Sequence, residues 1–372
     1  MDTKTTTNER AYTTWGDDYI DSGSHEQMQN AATLPIAVAG ALMPDAHVGY
    51  GLPIGGVLAT DNAVIPYAVG VDIACRMRMT IFPVKPHILG QQQAKFEKLL
   101  TEQTMFGAGK AWQGSERADH EILDDPDWNA TGLLRHLRQQ TAEGQLGTSG
   151  SGNHFVEWGA FELDDDDALG LEAGQYLALL SHSGSRGVGF QIANHYSKLA
   201  MDLHPDLDKS ARHLAWLSLD SGAGQEYWLA MELAGRFAAA NHEVIHRRIA
   251  KAAGLKPASV IENHHNFAWI EQIPSPDDPK QTLDVVVHRK GATPAGSGVL
   301  GIIPGSMGDP GFVVRGKGNP QALNSASHGA GRMMSRRQAR SKITKTMRNR
   351  YLKERGVTLI GGDLDEAPQA YK

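Results

Sequence analysis

The chain has a single cysteine, Cys75, among 372 residues. An internal disulfide framework is thereby excluded, and the fold must rest on its core, for which a hydrophobic content of 41% suffices. No apolar run is long enough to span a bilayer, and Met1 to Ile20 carries no charged-then-apolar leader. Membrane insertion and secretion are therefore not expected, and the cytoplasm is the expected compartment. Internal repeats and clear linkers are also lacking. Nor are cations in excess: the formal net charge is −6, which taken alone argues against a nucleic-acid partner.

The charge is segregated along the chain, however. Over residues 286–355 fourteen Lys and Arg stand against only Asp309 and Glu354, while acids gather in Glu162-Leu163-Asp164-Asp165-Asp166-Asp167 and between Asp363 and Glu366. A basic segment in an acidic chain is either a solvated helix face or a groove for phosphates. Glycine is abundant, at 41 residues, and clusters beside His, Ser and Asn, a pattern of turns that bring backbone close to a ligand.

Residues 1–34 are polar without strong periodicity and read as a loose N-terminal arm with one short helix, leaving 35–372 as a single domain. Short apolar runs over 36–42, 54–60 and 63–71 read as buried strands, and the alternation from Arg76 to Ile81 as a half-buried one. Further strands are expected at 155–162, 175–181, 283–288 and 299–303. Helices are expected at 89–101, at 129–142, from the Gly184-Ser185-Arg186-Gly187 turn to about 203, at 225–253 behind a Ser221 cap, and at 329–342. Short strands and helices intermixed in this way predict one α+β domain with more than one sheet.

Asp72 and Cys75, three residues apart, offer a divalent ion a carboxylate and a thiolate. A lone cysteine after an apolar run is more often a buried small hydrophobe, so the partners decide. Four stretches pair histidine with small residues: Gly152-Asn153-His154-Phe155, Ser181-His182-Ser183-Gly184, Asn263-His264-His265-Asn266 and Ser327-His328-Gly329-Ala330-Gly331-Arg332. Imidazole, thiolate and carboxylate together suit Mn, Zn, Fe or Co, and two ions could share Cys75 because a thiolate sulfur can bridge. Arg186, in a turn of small residues at a helix start, is a bidentate donor for an oxyanion or, equally, the partner of a surface acid. His328 stands apart because it opens the helix expected at 329–342, with Arg332 one turn later. A neutral histidine there is available as a nucleophile; with a nucleotide α-phosphorus as electrophile it would form a phosphoramidate, and Arg332 would neutralise charge on the phosphoryl oxygens.

Read together, Met43-Pro44-Asp45-Ala46-His47, Gly55-Gly56, Val69-Gly70-Val71-Asp72-Ile73-Ala74-Cys75, Gly152-Asn153-His154, His182-Ser183-Gly184-Ser185-Arg186-Gly187, His265-Asn266-Phe267, Arg289-Lys290-Gly291-Ala292-Thr293, Pro304-Gly305-Ser306-Met307-Gly308 and His328-Gly329-Ala330-Gly331-Arg332 resemble the RtcB family of RNA ligases. The resemblance runs in order from about Pro35 to Lys372. It implies the RtcB-type α+β fold, mixed and antiparallel sheets flanked by helices around a central metal site, with two Mn ions and GTP as cofactors. The implied reaction joins an RNA 3′-phosphate or 2′,3′-cyclic phosphate to a 5′-hydroxyl, in tRNA splicing or RNA repair.

By the same resemblance Cys75 bridges the two ions, with Asp72 and His154 on one and His182 and His265 on the other, and His328 takes GMP from GTP. Asn153 is expected on the nucleotide phosphates, Phe155 against the guanine, Glu157, Ser306 and Tyr371 at its edges, and Arg186 on an RNA phosphate. Broken tRNA or other RNA ends are the implied partners, with an RNA-repair or release-factor-like protein as a further one. The sequence departs from the family pattern where it ends at Tyr371-Lys372 without a C-terminal Lys-Gly, at Gly311 where a hydroxyl residue is common, and at Tyr50 where many members have Lys. A shortened or divergent member is therefore expected. Two other readings stay open: a metal-dependent phosphoesterase that only opens cyclic phosphates, and a noncatalytic RNA-binding homologue built around the basic segment.

Overall fold

The structure, a computed structural model, describes residues 12–164, 169–275, 278 and 280–372. Met1 to Ala11 of the expected arm and Asp165 to Asp167 of the acidic run lie outside the described residues. The strands used below are, in chain order, β1 Thr13–Thr14, β2 Ala37–His47, β3 Ile54–Thr60, β4 Arg76–Phe82, β5 Phe155–Leu163, β6 Gly174–Ser183, β7 Ser259–His264, β8 Phe267–Pro274, β9 Thr282–Lys290, β10 Ala292–Pro294 and β11 Ser325–Ser327. The helices are α1 Ser22–Ala32, α2 Pro66–Val69, α3 Arg186–Leu203, α4 Gly222–Ala253, α5 Arg336–Lys342 and α6 Lys345–Glu354.

Two sheets carry the site. The first has the order β1-β2-β3-β9-β8 and is antiparallel except for the β1–β2 pair; the second has the order β7-β4-β6-β5 and is antiparallel throughout. Val57, Leu58 and Ala59 of β3 are fully buried in succession, which is why that strand reads as an unbroken apolar run. β4 alternates instead: Met77, Met79 and Ile81 pack with Ile261 and Ile302 on one side, while Thr80 meets His246 of α4 on the other. Helix α4 is capped as expected, Ser221 accepting from the Gly224 N–H at 3.1 Å, and it ends at Gly254 in the left-handed region with φ of 72°. Its buried face and that of α3 build the largest apolar cluster. Among the described residues no helix is long and apolar enough to cross a membrane.

Three expectations need correction. The run 63–71 is a strand only over Ala63–Val64; Pro66 then takes the first position of α2, whose missing N–H costs nothing there. Residues 13–32 are built into the fold, because β1 pairs with β2 and α1 buries Met28 and Ala31 against the β2 side. The helix expected over 329–342 begins only at Arg336, behind a Ser335 cap completed by Gln338. His328 therefore follows β11 in a non-helical stretch, with Gly331 at φ of 71°.

The chain passes between the sheets twice, and the two passages meet. One runs from β3 through α2 and Asp72-Ile73-Ala74-Cys75 into β4; the other is the His265-Asn266 step between β7 and β8. Ala74 N–H donates to the Asn266 carbonyl at 2.8 Å, and His265 N–H to the Cys75 carbonyl at 2.9 Å. Ala74 and Asn266 both take positive φ, 55° and 63°, unusual backbone for residues with side chains.

Candidate active site

One end of the second sheet gathers the expected ligands because each sits at a strand terminus. Cys75 precedes β4, His154 precedes β5, His182 is next to last in β6, and His265 follows β7. Registers Met77 to His182 and His182 to Phe155 bring these ends level. Cys75 Sγ lies 3.1 Å from His182 Nε2 and 3.4 Å from His154 Nε2; His182 Nε2 lies 3.1 Å from His265 Nε2; and His154 Nε2 lies 2.8 Å from an Asp72 oxygen. Two ligand sets result, Cys75-His182-His265 and Asp72-Cys75-His154, with Cys75 in both.

The donor atoms suit metal ions on chemical grounds. His182 Nδ1 sits 2.9 Å from the Asn153 carbonyl, which fixes the proton on Nδ1 and leaves an Nε2 lone pair facing Cys75 and His265. His154 Nδ1 has the Ser149 carbonyl at 3.2 Å for the same purpose. Lone pairs converging this closely repel unless a proton or a cation sits among them. Burial, then the neighbouring His154, lowers the proton affinity of His182 to a pKa of about 3, so the proton is disfavoured. Burial and then His328 also drive His265 well down. Burial, reinforced by Asp72, raises the Cys75 thiol well above its usual value, whereas at Asp72 the opposing burial is outweighed by His154 and Arg186 and the carboxyl stays low. The cluster thus offers the neutral imidazoles of His182 and His265, one carboxylate and one thiol whose proton a metal would have to displace.

His328 approaches from the first sheet, its ring centroid 4.8 Å from that of His265. Its Nδ1 lies 2.7 Å from Asp45 Oδ2, which also accepts the backbone N–H of His328 at 3.1 Å and of Gly329 at 3.3 Å. Asp45 was quoted in the sequence motif without a role. A bulge places it: β2 advances from Leu42 to His47 while β3 moves only from Gly56 to Ile54, and the extra residues turn the buried Asp45 toward His328. Burial alone would raise the Asp45 carboxyl, but the hydrogen bond and charge of His328 bring it below its usual value. With Nδ1–H given to this carboxylate, the neutral form of His328 carries its lone pair on Nε2.

The other expected residues fall in two groups. Asn153 is exposed in the turn before β5, Phe155 lies beside His182 at 5.8 Å between ring centroids, Glu157 is exposed on β5, and Arg186 Nη1 reaches 3.0 Å from His154 Nδ1. Ser306 is buried and donates to Asp309. Arg332 is not one helical turn from His328 on a shared face; it forms a β-bridge with Tyr371 and donates to Glu366 at 2.9 Å, to the Tyr371 hydroxyl at 3.2 Å and to the Asp365 carbonyl at 2.6 Å. The Tyr371 hydroxyl in turn donates to Glu366. Lys372 Nζ reaches the Pro44 and Ala46 carbonyls at 2.9 and 2.8 Å, flanking Asp45.

The closing acids match part of the basic segment, Arg332, Arg336 and Arg340. Arg336 pairs with Asp365 and Glu366, Arg340 with Asp363 and Asp365, and Arg289 with Glu271, while Arg337, Lys342, Lys345 and Arg350 stay exposed. Glycines stand behind the functional side chains. A Cβ at Gly184 would fall 2.1 Å from Asp72 Oδ1, at Gly150 1.8 Å from Arg186 Nη2, and at Gly331 2.6 Å from the Asp45 carbonyl.

A family model described as tRNA-splicing ligase RtcB matches residues 27–372. The RNA-splicing ligase RtcB of Escherichia coli K12 is 31% identical over 386 residues, covering 95% of this chain and 88% of the relative. That of Mycobacterium tuberculosis is 32% identical over 410 residues, covering 93% of each. The tRNA-splicing ligase RtcB of Archaeoglobus fulgidus is 31% identical over 434 residues, covering 95% of this chain and 86% of the relative.

Proposed function

Since the chain belongs to the RtcB family of RNA-splicing ligases, we propose that it joins RNA ends bearing a 3′-phosphate or 2′,3′-cyclic phosphate to 5′-hydroxyl ends, using GTP and a GMP-histidine intermediate at His328. The observation that carries this reading is a histidine with its Nδ1 proton committed to buried Asp45, its ring next to two ligand sets that share one thiol. Asp72, Cys75 and His154 would hold one ion and Cys75, His182 and His265 the other, with Mn as the metal. When bound, the ions supply charge neutralisation at phosphoryl oxygens and acidify water.

The chain's own residues account for the rest. His328 Nε2 attacks the α-phosphorus of GTP, the P–N bond forms and pyrophosphate leaves. Asp45 holds the imidazole in the reactive tautomer and stabilises the cation that develops as the bond forms. The RNA 3′-phosphate oxygen then takes GMP from His328, and the 5′-hydroxyl oxygen attacks the activated RNA phosphorus, expelling GMP; a cyclic end is first opened by water. Arg186 would hold an RNA phosphate, and its contact with His154 Nδ1 is exchangeable, because a metal-binding His154 needs that nitrogen protonated toward Ser149. Asn153 would contact the nucleotide phosphates and Phe155 the guanine, with Glu157, Ser306 and Tyr371 at its edges and Arg332 holding Tyr371 in place.

The test is incubation with α-labelled GTP and Mn, followed by a ligation of cyclic-phosphate and 5′-hydroxyl strands. An acid-labile label on the protein, absent in His328→Ala, together with GTP-dependent joining is expected. Opening of cyclic ends without GTP that survives His328→Ala and fails in Cys75→Ala would replace this reading with a phosphoesterase. RNA binding with neither label nor joining under any metal would mark a noncatalytic homologue.

A further inference from the structure

A set of rings that the chemistry above does not use lies where the buried Lys290 ends. Tyr50, Tyr67 and His213 come from three separate stretches and meet: Tyr50 and Tyr67 each stand edge to face with His213, at 5.7 and 4.9 Å between centroids, and Tyr50 is tilted against Tyr67 at 6.3 Å. Tyr67 and His213 are half-buried, whereas the Tyr50 side is 66% exposed. An open ring usually sits on a mobile loop, but this loop is anchored on both flanks. Gln27 holds Gly49 through both ends of its amide, at 2.5 and 3.0 Å. The buried Lys290 donates to the Tyr50 carbonyl and, at 3.0 Å, to that of Leu52. Gly51, at φ of 69°, lets the loop close on His213, since a Cβ there would fall 2.6 Å from the His213 carbonyl oxygen.

The same anchors tie the cluster to the site. Lys290 is followed by Gly291, where a Cβ would lie 3.1 Å from His328 Cε1. Tyr67 belongs to α2, which leads through Gly70 and Val71 to Asp72. The rings are therefore tied to the site through the Lys290-Gly291 step and through α2. Their surroundings are cationic: Arg212 is exposed next to His213, and the proton affinity of His213 is lowered by burial and then by Lys290 and Arg212. A fixed, open aromatic face with the exposed Arg212 next to it is what a base and its phosphate need, because the ring stacks without first losing loop freedom.

We propose that Tyr50, backed by Tyr67 and His213, is a stacking platform for a nucleobase of the RNA strand whose end enters the site. The identity of the ligand as RNA rests on the ligase reading; the platform itself is tested by binding without joining. The full chain, without GTP, is titrated with two single-stranded RNAs carrying 2-aminopurine, one at the terminal nucleotide of a 3′-phosphate end and one at that of a 5′-hydroxyl end. Quenching of one probe identifies the strand that stacks. Tyr50→Ala should abolish that quenching and weaken binding roughly 5- to 100-fold, while Tyr50→Trp keeps both. Unchanged quenching and affinity in Tyr50→Ala, no quenching with either strand, or a loss confined to GTP binding would overturn the platform. Stacking in a chain that never joins RNA would remove the ligase reading and leave the platform standing.

Discussion

The shared thiol makes a countable prediction about metal binding. Among the ligands of the two sets, His182 and His265 are held neutral and Asp72 ionised, so none of these three has a proton to give up near or above neutral pH. Cys75, pushed well above its usual value by burial and Asp72, still carries its proton there. Between pH 8 and 9, above the ordinary histidine range, the first Mn or Zn ion should therefore release about one proton, from Cys75. The second ion, binding to a sulfur already ionised, should release about none. Metal affinity for the first step should then rise about tenfold per pH unit, which is about 1.4 kcal/mol. Titration calorimetry in buffers of different ionisation enthalpy counts the protons directly, and Cys75→Ser should lose the release together with most of the affinity. Two protons spread over two ions would mean that the sulfur is not shared, and none at all would mean that Cys75 is not a ligand.

Asp45→Asn keeps the shape of the carboxylate but removes its charge from His328, and the single-turnover transfer of label from GTP to protein should slow by about 10²- to 10⁴-fold with GTP binding retained. Transfer at the wild-type rate would show that Asp45 does not orient the nucleophile. Gly150→Ala, strained at φ of 91° and driving a Cβ into Arg186, should reduce joining by about 10- to 100-fold, as Arg186→Ala does, with labelling of His328 preserved. Burial lowers the Lys290 pKa to about 7, so the unfolded chain binds more protons than the folded one between about pH 7 and 10. Relative to Lys290→Met, wild-type stability in urea should climb by about 1 kcal/mol per pH unit across that window; parallel curves would show that Lys290 is not held in this way.

What the sequence revealed was local chemistry. Asp72 to Cys75, the His-bearing turns and the Ser221 cap are short stretches whose residue types state their own requirements, and the structure brings the five expected ligands together. Partners across the chain were not legible. Asp45 sits 283 positions from His328, inside an apolar strand where a carboxylate could equally have faced solvent, and only the bulge in β2 aims it. The helix reading at His328 failed because Gly329 and Gly331 outweigh the good helix formers that follow, and the helix waits for the Ser335 cap. Part of the basic segment was hidden for a related reason: the counterions of Arg332, Arg336 and Arg340 lie in the last ten residues of the chain, and composition does not show that the two pieces fold against each other.

The meeting of the Asp72–Cys75 and His265–Asn266 passages also bears on the order of events during folding. Cys75 and His182 are 107 residues apart, and the two passages join segments between which α3 and α4 both lie. Contacts of that range form late, as the second sheet assembles from strands far apart in the chain. An ion has no complete site until the ends of β4, β5, β6 and β7 have come level, so metal should leave the refolding rate nearly unchanged and act on the rate of unfolding. The centre then works as a latch on one end of the second sheet, closing once its strands have paired and thereafter retarding their separation.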